Sequence, residues 1–247
     1  MNFRLIYGKN AVIEALKSGC KIDRILISES SKNNTNLLKL AQQAGAVVKF
    51  VNSAKLKKFA NCQGVVAFAH NLRYFTINEV LKIDEQNKTS SFFLICDKIL
   101  DPHNLGALIR TAFAVGVSGI IISKRGCAPI TEVVEKASAG AINFVKIVRV
   151  SNLAAAVEVL KKAGVFIYCA NMGGETFFQK NLTGKIGLVV GSEGKGVSSL
   201  ILKKSDAVLS IPMVGRIDSL NVSVAGGILM FEIARQRMLF HKPAHTL

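Results

Sequence analysis

Two stretches in the last third of the chain hold residue types that could do chemistry: Leu188-Val-Val-Gly-Ser-Glu-Gly-Lys-Gly-Val-Ser-Ser199 and Ile211-Pro-Met-Val-Gly-Arg-Ile-Asp-Ser-Leu-Asn-Val-Ser-Val-Ala-Gly-Gly227. In each, an apolar run enters a loop of glycines, hydroxyls and single charged groups, a composition that brings backbone close to a ligand. Gly191, Gly194 and Gly196 invite comparison with phosphate-binding loops. Such a loop needs Lys-Ser or Lys-Thr directly after its last glycine, and Val197-Ser198 follows here. A dinucleotide fingerprint needs Gly-x-Gly-x-x-Gly after a first strand, whereas these glycines have the reverse spacing after a late one. Both patterns fail, leaving either a ligand held by backbone or a plain strand-to-helix turn. Ser219-Leu220-Asn221 stand where a long helix must begin, because Val224, Ile228, Phe231 and Ile233 recur near helical spacing between Val222 and Phe240. A cap explains one of the two polar side chains.

A third segment, Asp101-Pro-His-Asn-Leu-Gly-Ala-Leu-Ile-Arg110, puts two polar side chains six residues apart at the mouth of a strand. A helix otherwise filled with Leu105, Leu108, Ile109, Phe113 and Val115 has little use for the guanidinium of Arg110 unless it meets a carboxylate or phosphate, or snorkels to the surface.

These residues must be positioned by a sheet. Phe92-Phe-Leu-Ile-Cys-Asp97 is a continuous apolar run of the sort buried on both faces of a parallel sheet. Helices are expected at 105–115, 131–138 and 152–162, with strands at 119–123, 145–148, 165–170, 186–190 and 207–211, which is a doubly wound α/β rhythm. Ligands of such sheets bind outside the carboxyl ends of the strands, where Asn104, Arg110 and the glycine loops all fall. Ahead of this, residues 1–75 alternate helix (10–17, closed by Gly19; 36–44; 53–59) with strand (22–27, 46–51, 64–69), a small α/β unit of its own. Residues 77–83 are expected to form one more helical turn or two, and the polar segment 84–91 that follows carries no apolar period; residues 76–91 are read as a linker, so the domains are expected at 1–75 and 92–247.

Composition narrows the function. Lys and Arg number 32 against 16 acidic residues, a net charge of +16, which points to a polyanion such as nucleic acid. Residues 1–88 hold 14 of the basic and 6 of the acidic side chains, so the first part is the more densely basic. Charges interrupt every apolar run before membrane-spanning length, and residues 1–8 have no apolar signal core, so no membrane association and a cytoplasmic location are expected. The five cysteines stand singly, as reduced thiols would. The four histidines, including His241 and His245, form no zinc pattern with them, and no metal is assigned.

Taken together, Asn104-Leu-Gly-x-x-x-Arg110, Val190-Gly-Ser-Glu-Gly-Lys-Gly196 and Ile211-Pro-Met…Ser219-Leu-Asn-Val-Ser223 resemble, in order, three signatures of the SpoU/TrmH branch of the SPOUT family. These are S-adenosylmethionine-dependent RNA 2′-O-ribose methyltransferases. Tyr7-Gly-Lys-Asn-Ala-Val-x-Glu-Ala-Leu16 and Gln63-Gly-Val-Val-Ala67 are similar to the L30e-like substrate-binding domain of the bacterial 23S rRNA guanosine-2′-O-methyltransferases. One departure is Cys62, where many relatives carry His before Gln-Gly. The resemblance implies a SPOUT catalytic domain with a C-terminal trefoil knot, a homodimer with the cofactor site near the subunit interface, and RNA rather than DNA as substrate. It implies cofactor contacts by backbone at Gly191, Ile211 and Leu220, with further contacts from Asn171-Met-Gly-Gly174. It also implies a catalytic face of Asn104, Arg110, Glu193, Ser219 and Asn221. Asn104 and Glu193 are expected to orient Arg110 and the nucleotide, and Ser219 and Asn221 to support the loop and substrate. Arg110 is the family's activator of the 2′-hydroxyl; a guanidinium, protonated at any working pH, suits phosphate binding and alkoxide stabilisation better than proton abstraction. Methylation of tRNA, and a non-enzymatic ribosome-assembly factor, are the competing expectations; the failed dinucleotide pattern weakens an oxidoreductase.

Overall fold

Phe92, Phe93, Leu94, Ile95 and Cys96 are all buried, and this stretch is the centre of the larger of two units in the computed structural model. The structure describes residues 3–17, 20, 22–59, 62–70, 72–215 and 219–240. Gly19, His241 and His245 lie outside these. The units are Met1–Arg73 and Tyr74–Leu247.

The first unit contains β1 (Phe3–Tyr7), α1 (Lys9–Lys17), β2 (Ile22–Ser28), α2 (Thr35–Gln43), β3 (Val47–Val51), α3 (Ser53–Leu56) and β4 (Val65–His70). Its sheet runs β1-β4-β2-β3, with β2 and β3 parallel and the other pairs antiparallel. Val12, Ile13 and Leu16 of α1 and Leu37 and Ala41 of α2 pack on Ile25, Ile27, Val65 and Ala67 in one core. The strand β1, absent from the sequence reading, exists because its residues pair along the whole length of β4, from Phe3 with His70 to Tyr7 with Val66.

The second unit holds β5 (Tyr74–Phe75), α4 (Ile77–Gln86), β6 (Phe92–Cys96), α5 (Pro102–Ala114), β7 (Gly119–Ser123), α6 (Glu132–Ala137), β8 (Ile147–Val150), α7 (Leu153–Lys162), β9 (Phe166–Thr176), β10 (Ile186–Val190), α8 (Ser199–Lys204), β11 (Ala207–Ser210) and α9 (Val222–Phe240). The sheet order is β11-β9-β10-β6-β7-β8-β5, every pair parallel. Phe93, Ile95, Ile121 and Val189 face Val80 of α4, Val157 and Leu160 of α7 and Ile201 of α8. On the other face α5 packs against α6 and α9. Each fully buried large side chain contributes about 1.5–3 kcal/mol. After β11, α9 returns onto β9, β10 and α5, a path consistent with the knotted threading that the resemblance implies. Among the described residues no helix is long and apolar enough to cross a membrane.

The helical turns expected at 77–83 are part of a longer helix, α4, which takes up most of the segment read as a linker. Thr76 caps α4 through a full capping box with Glu79, and Ile77 and Val80 are buried in the second unit's core. The apolar stripe Ile77, Val80 and Leu81 carries the expected turns, and the polar last turn, 84–86, extends the helix past them.

Candidate active site

β6 and β10 lie side by side, Cys96 opposite Val190, and the chain leaves them in opposite directions across the sheet: β7 and β8 lie beyond β6, β9 and β11 beyond β10. That reversal is the switch point at which a parallel sheet opens a crevice beyond its strand ends. Asp97, buried at the end of β6, holds the two exits together: its backbone N–H donates to the Val190 carbonyl (2.9 Å), and its Oδ2 accepts from the Ser198 N–H (2.7 Å).

The helix after β6 starts earlier than expected. Asp101 caps it by accepting from the Asn104 N–H at 2.9 Å, and Pro102 occupies the first turn, where no N–H is needed. Asn104 is therefore inside the first turn of α5 and buried. Its Nδ2 donates to Glu193 Oε1 at 2.9 Å, and its Oδ1 accepts from Asn221 Nδ2 at 2.9 Å. Asn221 Nδ2 also donates to Glu193 Oε1, at 2.6 Å. Three residues from three distant segments thus close a triangle of two amides and a carboxylate. Glu193 Oε2 has no partner among the described residues.

Asn221 does two jobs through opposite ends of one amide. Its Oδ1 accepts from Ser223 N (2.9 Å) and Ser223 Oγ (2.6 Å), capping α9, while Nδ2 faces the triangle. The cap is Asn221, and Ser219 is left exposed.

Beside the triangle is a cavity of about 330 Å³. Gly191, Glu193, Ile211, Ser219 and Leu220 line it, so all three residues expected to meet a cofactor border one space. Gly191 must be glycine: a Cβ there would lie 2.1–2.2 Å from the backbone of Gly196 and Val197. The loop bends back on itself through the Ser192–Gly196 bridge, and Gly194 and Gly196 take φ of 81° and 64°, which favours glycine. The opposite wall is Ala170, Asn171 and Met172; the strand expected to end at Ala170 runs on through residues 171–174, read as loop, in a longer β9. The β11 register jumps from Val208–Cys169 to Leu209–Glu175, so residues 170–174 bulge toward the cavity.

The sequence profile of the SpoU rRNA Methylase family matches residues 91–231, and that for RNA 2'-O ribose methyltransferase substrate binding matches residues 5–75. A Bacillus subtilis (strain 168) protein, "Putative TrmH family tRNA/rRNA methyltransferase YacO", is 39% identical over 238 residues, 94% of this chain and 95% of that one. The chain belongs to the SpoU family. Among solved structures, an AdoMet-bound rRNA methyltransferase from Sinorhizobium meliloti is similar with a TM-score of 0.73 and 27% identity, over 94% of this chain and 87% of that one. The SpoU methyltransferase AviRb from Streptomyces viridochromogenes, in complex with AdoMet, shares the fold with a TM-score of 0.76 and 22% identity, over 96% and 91%.

Within this SpoU fold Arg110 stands apart. Six helical residues separate it from Asn104 by about 9 Å along the axis and about a third of a turn around it. It is exposed, does not line the cavity, and makes no hydrogen bond or ion pair among the described residues, so neither Asn104 nor Glu193 orients it within one chain. Its near neighbour on the helix surface is Phe113, itself exposed and stacked on Phe144 with ring centroids 5.2 Å apart. Two site residues escaped the sequence reading. Asp97 was taken only as the end of a strand, although a carboxylate directly after five buried residues is a signal that something nearby needs an acceptor. Lys195, exposed on the cavity wall, was seen only as part of a motif.

Proposed function

We propose that this chain transfers a methyl group from S-adenosylmethionine to a ribose 2′-hydroxyl of RNA, at a guanosine of 23S rRNA, in the cytosol. The observation that carries this reading is the Asn104–Glu193–Asn221 triangle set beside a cavity whose floor only glycine permits. The cavity fits the cofactor: its volume falls in the range of small-molecule sites, and its walls at Gly191, Ile211 and Leu220 offer backbone groups in place of polar side chains. When bound, the cofactor supplies a methyl carbon made electrophilic by a cationic sulfur.

This chain's residues would then do the aligning. Asn104 and Asn221 fix the Glu193 carboxylate at the cavity wall, leaving Oε2 to accept from the nucleotide and supplying the negative charge that favours a cationic ligand. Ser219 offers a hydroxyl from the facing loop. Arg110 grips the phosphate next to the target ribose and stabilises the oxygen as its proton leaves to that phosphate or to water. Its position supports a site completed by a second copy. Val224, Phe231 and Met238 recur on one stripe of α9 at 51, 58 and 66% exposure, and Phe113 and Phe144 add a stacked pair, more apolar surface than a lone protomer has reason to expose. The substrate-binding profile over residues 5–75 supports the RNA.

A 2′-O-methyl group blocks alkaline cleavage of the bond that follows it. Comparing 23S rRNA and tRNA from cells with and without this chain should therefore reveal one alkali-resistant guanosine site in 23S rRNA that depends on the chain. A chain-dependent site in tRNA alone would keep the chemistry and overturn the substrate.

A further inference from the structure

The first unit has a cavity of its own, about 400 Å³, that the methyl-transfer reading does not use. It gathers Ser28 at the end of β2, Ser30 and Ser31 in the turn that follows, Ser53 at the start of α3, Lys57 after it, and Gln63 before β4. Ser28, 1% exposed, places its Oγ 2.8 Å from Ser30 Oγ and 2.6 Å from Ser53 Oγ. A hydroxyl offers one donor and two acceptor sites, so Ser30 and Ser53 keep hydrogen-bonding capacity toward the cavity. The floor is again reserved by glycine: a Cβ on Gly64 would sit 2.8 Å from Ser31 Oγ and 3.2 Å from Ser28 Cβ. Beside it Gln63 is held at φ 47°, a left-handed conformation that a side-chain-bearing residue rarely adopts. Among the described residues no carboxylate lines the space, and Glu29, the adjoining acid, is drawn to Lys32 at 3.7 Å. The Gln63-Gly64 pair that stood out in the sequence is the rim of this cavity.

Hydroxyls, one cation and one amide around a hollow match a phosphodiester with an attached base edge. RNA sequence is read mostly on single unstacked nucleotides. We propose that this cavity takes one unstacked nucleotide of the substrate RNA, its phosphate on Ser30, Ser53 and Lys57 and its base edge on the Gln63 amide. The assignment rests on the reading of the chain as an RNA methyltransferase, and gives the first unit a recognition site rather than a merely basic surface.

The test is binding of an unmodified 23S rRNA transcript to full-length wild type, Ser30→Ala/Ser53→Ala and Lys57→Ala across a salt series, with methyl transfer by the wild type measured on the same RNA. The serine pair should lose about tenfold in affinity with an unchanged salt slope, as expected for uncharged hydrogen bonds, and Lys57→Ala should lower the slope by about one. Lys57 is exposed, so its variant remains informative if the serine pair folds poorly. Wild-type binding by both variants overturns the pocket alone. So does a loss confined to Lys57→Ala, the behaviour of any surface charge. A wild type that neither binds nor methylates RNA overturns the function and the pocket together.

Discussion

A single amide nitrogen, Asn221 Nδ2, donates to both Asn104 and Glu193, and this arrangement decides what substitutions should do. Glu193→Gln can keep both bonds at Oε1 but removes the charge and puts a donor in place of Oε2, the oxygen left to accept from the nucleotide, so methyl transfer should fall by about 10²-fold with little change in RNA affinity. Arg110→Ala should lower kcat by about 10²–10³-fold while leaving the affinity for S-adenosylhomocysteine unchanged, because Arg110 lies outside the cavity. A rate that climbs to very high pH in the wild type and not in Arg110→Ala would instead make the arginine a base. The thiols of Cys96, at the end of β6, and Cys169, within β9, are packing, not nucleophiles. Burial, aided by Cys127 and Asp97, holds Cys96 well above the usual thiol range, and burial pushes Cys169 up to about 11. A raised pKa keeps the thiol protonated, so neither should react with iodoacetamide at pH 8 until the protein is denatured, as labelling followed by peptide mass analysis would read. At this scale the structure joins three of the five expected polar residues, Asn104, Glu193 and Asn221, and sets Ser219 on the cavity wall, and each of these was marked in the sequence by neighbouring apolar runs or glycines. The geometry of Arg110 was not, because its motif spacing says nothing about which face of a helix six residues reach.

The elements explain why the triangle holds. Gly106 lets α5 approach α6, where a Cβ would come 2.4 Å from Ala137 Cβ, and Gly226 lets α9 cross α5, where it would come 2.6 Å from Leu108 Cδ2. The far end of α9 is fixed by Arg237, which donates to the carbonyls of Ser90, Ser91 and Gly184 at 2.6–3.1 Å; burial pushes its guanidinium down to about 10, still charged at neutral pH. Asn221→Ser separates the two functions of the α9 cap. A serine oxygen can still cap the helix but has no amide to reach Glu193, so thermal stability should fall by less than about 1 kcal/mol while transfer falls at least tenfold. Equal losses in both would mean that Asn221 only starts a helix. The buried strands β6, β7 and β10 and the helix α9 were legible because continuous apolar runs and a long helical period leave few alternatives. The strand β1 was not, since it is stabilised by a partner far along the chain, β4, and of the helix α4 only the turns at 77–83 were read, its polar last turn giving no apolar period. The extension of β9 was hidden by its own glycines, Gly173 and Gly174, which read as loop and serve a bulge.

For the whole molecule, the proposal gives the basic first unit a cavity for one nucleotide and leaves Arg110 of the second unit to be completed by a second copy. Phe231→Glu puts a charge in the middle of the exposed α9 stripe, and sedimentation should show a dimer for the wild type and a monomer for the variant, with transfer lost in parallel. A monomeric wild type with full activity would return Arg110 to a role within one protomer. The first unit ends at Arg73, where the sequence led one to expect 75, and it closes its own hydrophobic core. The threading of the C-terminal part could only be inferred from resemblance, since no local pattern records how a chain passes through its own loops. The most direct measurement is transfer of labelled methyl from S-adenosylmethionine to RNA lacking the modification, by purified wild type and Glu193→Gln, followed by digestion to nucleosides. The account predicts label on 2′-O-methylguanosine from 23S rRNA with the wild type and at least a tenfold loss with the variant. Tight RNA binding with no label on any RNA would contradict it, leaving a protein that binds RNA without modifying it.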